Sequence, residues 1–211
     1  MAFEFDHAFV FVGAGAPDAD LLAAAGLVEG PPNIHPGQGT QNRRFFFQNG
    51  MIELLWVHSE EEAGSASIAR ARLLERFRYK LTGACPFGIG LSSAKGEMKN
   101  LPFNTWPYRP PYLPDGVKIA VADVSQSPDK LFAFVVPGAG SRPEWDEDVS
   151  IRKIQVRFPA WNFSDFGDQL GSDGLVSLSH GPEPIMQVSL NTGLKARRVD
   201  LRPRTPLVVE W

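Results

Sequence analysis

The chain of 211 residues carries 21 Lys and Arg against 24 Asp and Glu, a formal net charge of −3. With 43% hydrophobic and 21% charged residues it can build a core, which excludes a disordered or low-complexity chain. The near-neutral balance lacks the basic footprint of a nucleic-acid binder. The 20 glycines and 18 prolines point to many turns, and so to many strands. The single cysteine, Cys85, excludes an internal disulfide and any thiolate-rich metal site, and reads as a small core residue. Met1-Ala2-Phe3-Glu4-Phe5-Asp6-His7 has two acids and no early Lys or Arg, the reverse of a signal peptide. No apolar run reaches the ~18 residues of a membrane span. A cytoplasmic chain without a membrane or nucleic-acid partner is expected.

Residues 3–13, dense in aromatic and β-branched side chains, predict a strand buried on both faces. Asp18 to Gly26 predicts a short helix with an acidic cap and a glycine stop. Leu27 to Gly30 starts a second extended piece, and residues 31–42 are too polar and too rich in Gly and Pro for regular structure. Arg43–Gln48 and Met51–Val57 predict two strands joined at Asn49-Gly50, the strongest short-range hairpin signal. Residues 1–57 therefore spell β-α-β-β-β.

Ile68, Ala71, Leu74, Phe77 and Leu81 recur at helical spacing, which predicts one amphipathic helix of about four turns with its arginines in solvent. Pro86–Ser92, Val117–Ala122 and Leu131–Val136 predict further strands, with an irregular Pro-rich stretch over Leu101–Pro114. In the last third, Ser150–Phe158 predicts a strand and Asn162–Leu170 a short helix. Leu175–Ser179, Ile185–Asn191 and Leu207–Trp211 predict three more strands, repeating β-α-β-β-β. Such repetition predicts a pseudo-twofold architecture: a first module at 1–57, an insertion at 58–149 and a divergent second module at 150–211, all one structural unit.

Phe5-Asp6-His7-Ala8-Phe9-Val10, His35-Pro36-Gly37-Gln38-Gly39-Thr40, Asn42-Arg43-Arg44-Phe45-Phe46-Phe47 and Ile52-Glu53-Leu54-Leu55-Trp56-Val57 together resemble a glyoxalase-like domain of the vicinal oxygen chelate superfamily, which includes glyoxalases, bleomycin-resistance proteins and dioxygenases. Pro86-Phe87-Gly88-Ile89 and the run from Trp106 to Pro114 resemble one branch of it. The resemblance implies an α+β fold in which two β-α-β-β-β modules form a curved, cup-shaped mixed sheet with helices outside. It implies one divalent metal (Zn, Mn, Fe, Ni or Co) in the cup and a homodimer.

By that resemblance His7 and Glu53 are metal ligands, with Glu53 also the catalytic carboxylate. Strand parity puts His7 on one face with Phe5, Phe9 and Phe11. A His7–Glu53 pair satisfying each other without metal is the alternative. The strand Ser150–Phe158 has no histidine. Its Lys153, Gln155 and Arg157 share a face, so Gln155 with Glu210 completes a ligand set, or Lys153 and Arg157 bind an anionic group. His35, Gln38 and Asn42 are candidate rim residues, and Trp106, Tyr108 and Tyr112 a candidate aromatic wall. His58 falls on the face opposite Glu53 and His180 in a turn.

No nucleophile elbow or dinucleotide glycine fingerprint is present. Two functions remain. One is a metal-dependent lyase, isomerase or dioxygenase acting on a small molecule with vicinal oxygens. The other is a metal-free protein that binds an anionic or aromatic metabolite in the same cup.

Overall fold

The computed structural model describes residues 3–93, 98–138, 148–159, 170, 174–191 and 196–211. The first elements follow the sequence pattern: β1 (Phe3–Phe11), then α1 (Ala19–Ala24), which ends before Gly26 in the left-handed region. The Asn-Gly signal is met by the hairpin of β3 (Thr40–Phe47) and β4 (Gly50–Val57), with Phe47 opposite Gly50. Residues 31–42 are not one irregular loop, because β2 (Glu29–His35) pairs with β3. Pro31 and Pro32 fit there for a physical reason. The strand is the edge of its sheet, and its register shifts between Gly30 and Asn33, so neither proline has to donate to a ladder.

Four more strands follow: β5 (Phe87–Ser93), β6 (Thr105–Tyr108), β7 (Ile119–Ala122) and β8 (Phe132–Val136). The strand β6 lies inside the stretch expected to be irregular. All eight form one sheet in the order β2-β3-β4-β1-β5-β8-β7-β6. The pairs β1–β4 and β5–β8 are parallel, while β1–β5 is antiparallel, so the second four strands mirror the first four across the β1–β5 seam. The half that completes the first sheet thus comes from within 58–149, the region read as an insertion.

The strands of 150–211 do not join it. They are β9 (Ser150–Phe158), β10 (Val176–His180), β11 (Ile185–Asn191), β12 (Arg198–Asp200) and β13 (Leu207–Glu210), in a separate sheet ordered β10-β9-β11-β13-β12. Its pairings run parallel, antiparallel, parallel, antiparallel, the same succession as from β4 to β7 in the larger sheet. The helix expected at 162–170 falls, except for the buried Leu170, outside the described residues.

The two sheets share one core. Ala8, Val10, Leu54, Ile89 and Ala133 from the first meet Ile154, Val156, Met186, Val188 and Leu207 from the second, with Leu22 of α1. The opposite face of the first sheet carries Phe9, Phe11, Leu55, Val121, Phe132 and Phe134, packed against residues 63–73. Helical segments therefore lie on both faces. Strand parity needs one correction: a register shift between Phe5 and His7 sends Phe5 to the shared core, while Phe9 and Phe11 remain on the other face.

The four-turn helix is also broken. Behind α2 (Glu60–Ala63) come a 3-10 turn at Ala69–Ala71, α3 (Leu73–Phe77) and α4 (Tyr79–Thr82), with Arg72 left-handed at φ 55°. Arg76 is not solvated but 0% exposed, donating to the carbonyls of Cys85, Lys130, Ser125 and Ser127. Four loop carbonyls, of which Ser127 O also accepts from Lys130 N–H, converge on the guanidinium and explain the buried cation. Burial lowers its pKa to about 10. Cys85 behaves as the small core residue expected, its thiol pushed up to about 11 by burial. Among the described residues no helix is long and apolar enough to cross a membrane.

Two mutations probe this frame. A Cβ on Gly88 would lie 2.1 Å from Phe9 Cε1, so Gly88→Ala is expected to destabilise by about 1–3 kcal/mol in urea unfolding. Gly13→Ala, with nothing within 4 Å, should stay within about 0.5 kcal/mol. Arg76→Met strands four carbonyl acceptors and should cost about 3–5 kcal/mol by the same assay. Equal effects of Gly88→Ala and Gly13→Ala, or a neutral Arg76→Met, contradict these assignments.

Candidate functional site

A cavity of about 130 Å³ opens on the face of the first sheet opposite the shared core. It is lined by His7, Glu53, His35, Gln38, Tyr108 and Tyr112, with Phe9, Phe132, Phe134 and Leu73 among its apolar walls. The residues arrive there from both halves of the sheet: β1 gives His7 and Phe9, β4 gives Glu53, β6 gives Tyr108, and β8 gives the two phenylalanines. His7 and Phe9 stand opposite Gly90 and Gly88 of β5. A Cβ on Gly90 would come within 2.9 Å of the His7 ring, so a glycine is what lets the imidazole lie across the seam.

A chain of hydrogen bonds fixes the polar rim. Tyr108 donates to Gln38 Oε1 (2.6 Å), and Gln38 Nε2 donates to Thr40 Oγ1 (2.6 Å). Thr40 Oγ1 is 2.8 Å from His35 Nδ1. The Tyr112 ring packs on His35 with centroids 4.8 Å apart. The turn between β2 and β3 is held by Gly37 N–H donating to Glu62 of α2, and Gly39 approaches Ser59 O so closely that a Cβ would sit 2.2 Å from it.

The charges are unevenly matched. His7 Nδ1 donates to Asp6 Oδ1 at 2.6 Å, and its ring meets Phe134 edge-on at 5.0 Å. Burial disfavours the charged imidazole, but the Glu53 carboxylate and the Asp6 bond outweigh it and raise the His7 pKa. Burial lowers the His35 pKa despite the pull of Glu53, so His35 is neutral at pH 7. Burial pushes the phenols of Tyr108 and Tyr112 upward, and both stay protonated. Glu53 itself is 7% exposed and faces the cavity, yet among the described residues its carboxylate has no hydrogen bond and no ion pair. The alternative of a direct His7–Glu53 hydrogen bond is not met: His7 Nδ1 bonds Asp6. Arg44, directly across from Glu53 in the β3–β4 ladder, donates instead to the Pro31 carbonyl.

Six of the candidate residues, His7, Glu53, His35, Gln38, Tyr108 and Tyr112, therefore converge. Asn42 and Trp106 are buried close by without lining the cavity: Asn42 accepts from Asn33 N–H, and Trp106 packs between Tyr108 and the Arg70 guanidinium. Lys153 and Gln155 stand on β9 in the other sheet, with Arg157, and do not reach it. Glu210 accepts from Gln187 and Ser189 in that sheet. Asp6, the partner of His7, and Phe132 and Phe134 of the wall are contributors that the sequence did not single out. Asp6 was adjacent to His7 in sequence, but only the strand irregularity turns the two side chains together.

The donor set does not fit the metal implied by the resemblance. The face of β5 that looks into the cavity presents Gly88 and Gly90, and that of β8 presents Phe132, Phe134 and Val136. The mirrored half therefore offers no counterpart to His7 or Glu53. Among the described residues no group of three His, Cys, Asp or Glu is placed to hold a metal ion.

No protein-family model and no curated protein matches the chain. Solved structures do. One, a hypothetical protein from Staphylococcus aureus, superposes with a TM-score of 0.63 at 13% identity, covering 100% of this chain and 98% of the other. A hypothetical protein from Bacillus halodurans C-125 superposes at 0.44 with 19% identity, over 68% of this chain and 99% of its own. The first shares the fold across its whole length.

The His7 environment has a pH signature. Its folded pKa is raised, so its stabilising contribution is complete below the unfolded histidine value near ~6.5 and disappears as pH rises through the folded value. The wild-type advantage over His7→Gln in melting temperature should therefore be larger at pH 5.5 than at pH 9. An advantage that grows with pH would show that His7 is buried neutral.

Proposed function

We propose that the protein has the vicinal oxygen chelate fold and uses this cavity, without a metal, to bind one small molecule through Glu53. The mirrored strand order of the eight-stranded sheet supports the fold assignment, with the second half of the cup supplied by β5 to β8. The reading rests on one observation, the Glu53 carboxylate that faces the cavity without a hydrogen-bond or ion-pair partner among the described residues. Its oxygens stay open to the cavity rather than sealed in the core, and a binding site is where a fold retains such a group. A ligand that donates hydrogen bonds to Glu53 supplies what the chain withholds.

The surrounding residues have distinct parts in this. His7 is held by Asp6, and the Glu53 carboxylate favours its protonated form, while burial favours neutral His35 on the same wall. The pair His7 and Glu53 thus sets an acid next to a base, which gives the site the capacity to move a proton on a bound molecule. The anionic ligand expected for Lys153 and Arg157 has no support in this cavity, since both cations stand on the other sheet. The metal-dependent reading asks for donors that the second half of the sheet replaces with glycine and phenylalanine.

Elemental analysis of untagged protein should find no stoichiometric metal, before or after incubation with Zn, Mn, Fe, Ni and Co. Near-stoichiometric metal that is lost in both His7→Ala and Glu53→Ala would overturn the metal-free reading. Glu53→Leu should raise stability by about 1 kcal/mol in urea unfolding while abolishing ligand-induced thermal shifts. A variant that loses stability instead would assign Glu53 a structural role.

A further inference from the structure

The chemistry around Glu53 also restricts what can bind there, provided the cavity is a ligand site as proposed above. We propose that the ligand is a small organic monocation, an amidinium or ammonium group on a short apolar body, whose N–H groups meet the Glu53 carboxylate. Size sets the first limit. A cavity of about 130 Å³ is slightly smaller than the ~150 Å³ engineered cavity that takes benzene, so about six heavy atoms fill it.

Charge sets the second limit. Two carboxylates, Glu53 and Asp6, face one histidine that can answer them: His7, its Nδ1 bonded to Asp6. Arg44 turns to Pro31 O and lies over the Phe46 ring, and burial disfavours a charged His35. A neutral ligand would leave this group negative overall, and an anion would add a third negative charge beside Glu53 and Asp6. A divalent metal would find His7, His35 and Glu53 on the cavity wall, but among the described residues no three such groups are placed together to hold it.

The walls add a third argument. Phe9, Phe132 and Phe134 form one cluster, with ring centroids 5.9 Å apart for Phe9–Phe132, 6.3 Å for Phe9–Phe134 and 5.6 Å for Phe132–Phe134. Ring faces carry negative charge density and attract cations, while their area buries the apolar body of the ligand. Together with Tyr108 and Tyr112, these rings make an aromatic enclosure with a carboxylate in its wall.

Three isosteres of six heavy atoms separate the possibilities: butyramidinium, butyramide and butyrate, each titrated by NMR into the full chain and into Glu53→Gln. Butyramidinium is expected to bind at least about tenfold tighter than butyramide, and to lose that factor in Glu53→Gln. Intermolecular NOEs from its methylene protons to the Phe132 and Phe134 rings in the unmodified protein should place it in the cavity, a readout independent of how well the variant folds. Equal binding of butyramide and butyramidinium, both weakened in Glu53→Gln, would overturn the cation and keep the ligand site. Preference for butyrate, or butyramidinium binding that ignores Glu53→Gln, would overturn the cation as well. No NOE from any of the three to those rings would overturn the ligand site with it.

Discussion

The seam between β1 and β5 is the constraint on which the structure turns. Two antiparallel strands at the centre of an eight-stranded sheet must pass side chains across their shared face, and here β1 brings Phe9 and His7 while β5 brings Gly88 and Gly90. Space is the reason. Cβ atoms at the two glycines would lie within 2.1 Å of Phe9 and 2.9 Å of His7, so the rings occupy the volume that larger side chains on β5 would fill. Glycine in a strand interior is unfavourable on its own, by roughly 0.5–1 kcal/mol relative to alanine. The packing of Phe9 against Phe132 and Phe134, and of His7 against Phe134, compensates for it.

The same seam makes the two halves of the sheet chemically unlike while their pairing stays mirrored. The first half supplies His7 and Glu53 to the cavity, and the second supplies Phe132, Phe134, Val136, Ile119 and Tyr108. A symmetric site would surround its centre with like donors. This one sets a carboxylate and an imidazole on one side of an apolar wall on the other, an arrangement suited to an amphipathic molecule. The five-stranded sheet contributes from behind. Its apolar face completes the core under Ala8, Val10 and Leu54, and so supports the strands that carry His7, Phe9 and Glu53 from the side away from the cavity.

Local signals were legible in the sequence, and pairing across distance was not. The Asn49-Gly50 hairpin, the strand at Phe3–Phe11 and the short helix before Gly26 each depend on neighbours in the chain, and each is present. The placement of Lys153 and Gln155 depended on which module closes the first sheet. That choice is made by β5 to β8, one of whose two four-residue strands, Thr105–Tyr108, is hidden among prolines, and which carries only a 3-10 turn at Asp123–Gln126 and no α-helix among the described residues to announce a repeat. Arg76 was read as solvated because its charge was counted without the four carbonyls that reach it from Cys85, Ser125, Ser127 and Lys130. His7 and Glu53 were singled out by the family resemblance, with strand parity in support for His7. What they do there depended on Asp6, which a strand irregularity turns toward His7.

Arg76 and Glu53 show how the fold treats two buried charges in opposite ways. Both interrupt apolar surroundings, and both would be expensive if left alone. Arg76 lies where loops between strands converge, and their carbonyls surround it, so the charge closes the structure. Glu53 lies mid-strand, where backbone N–H groups are consumed by the ladders to β1 and β3, and its cross-strand neighbour Arg44 is held outward by Pro31. No backbone group is left over to answer it. The sheet that places the carboxylate so rigidly is thus the same element that denies it a partner, and the free valence opens onto a cavity of molecular size. Rigid placement and missing satisfaction have one cause here, the regular pairing of β4 on both sides, and on the ligand-binding reading proposed above that pairing preorganises the carboxylate.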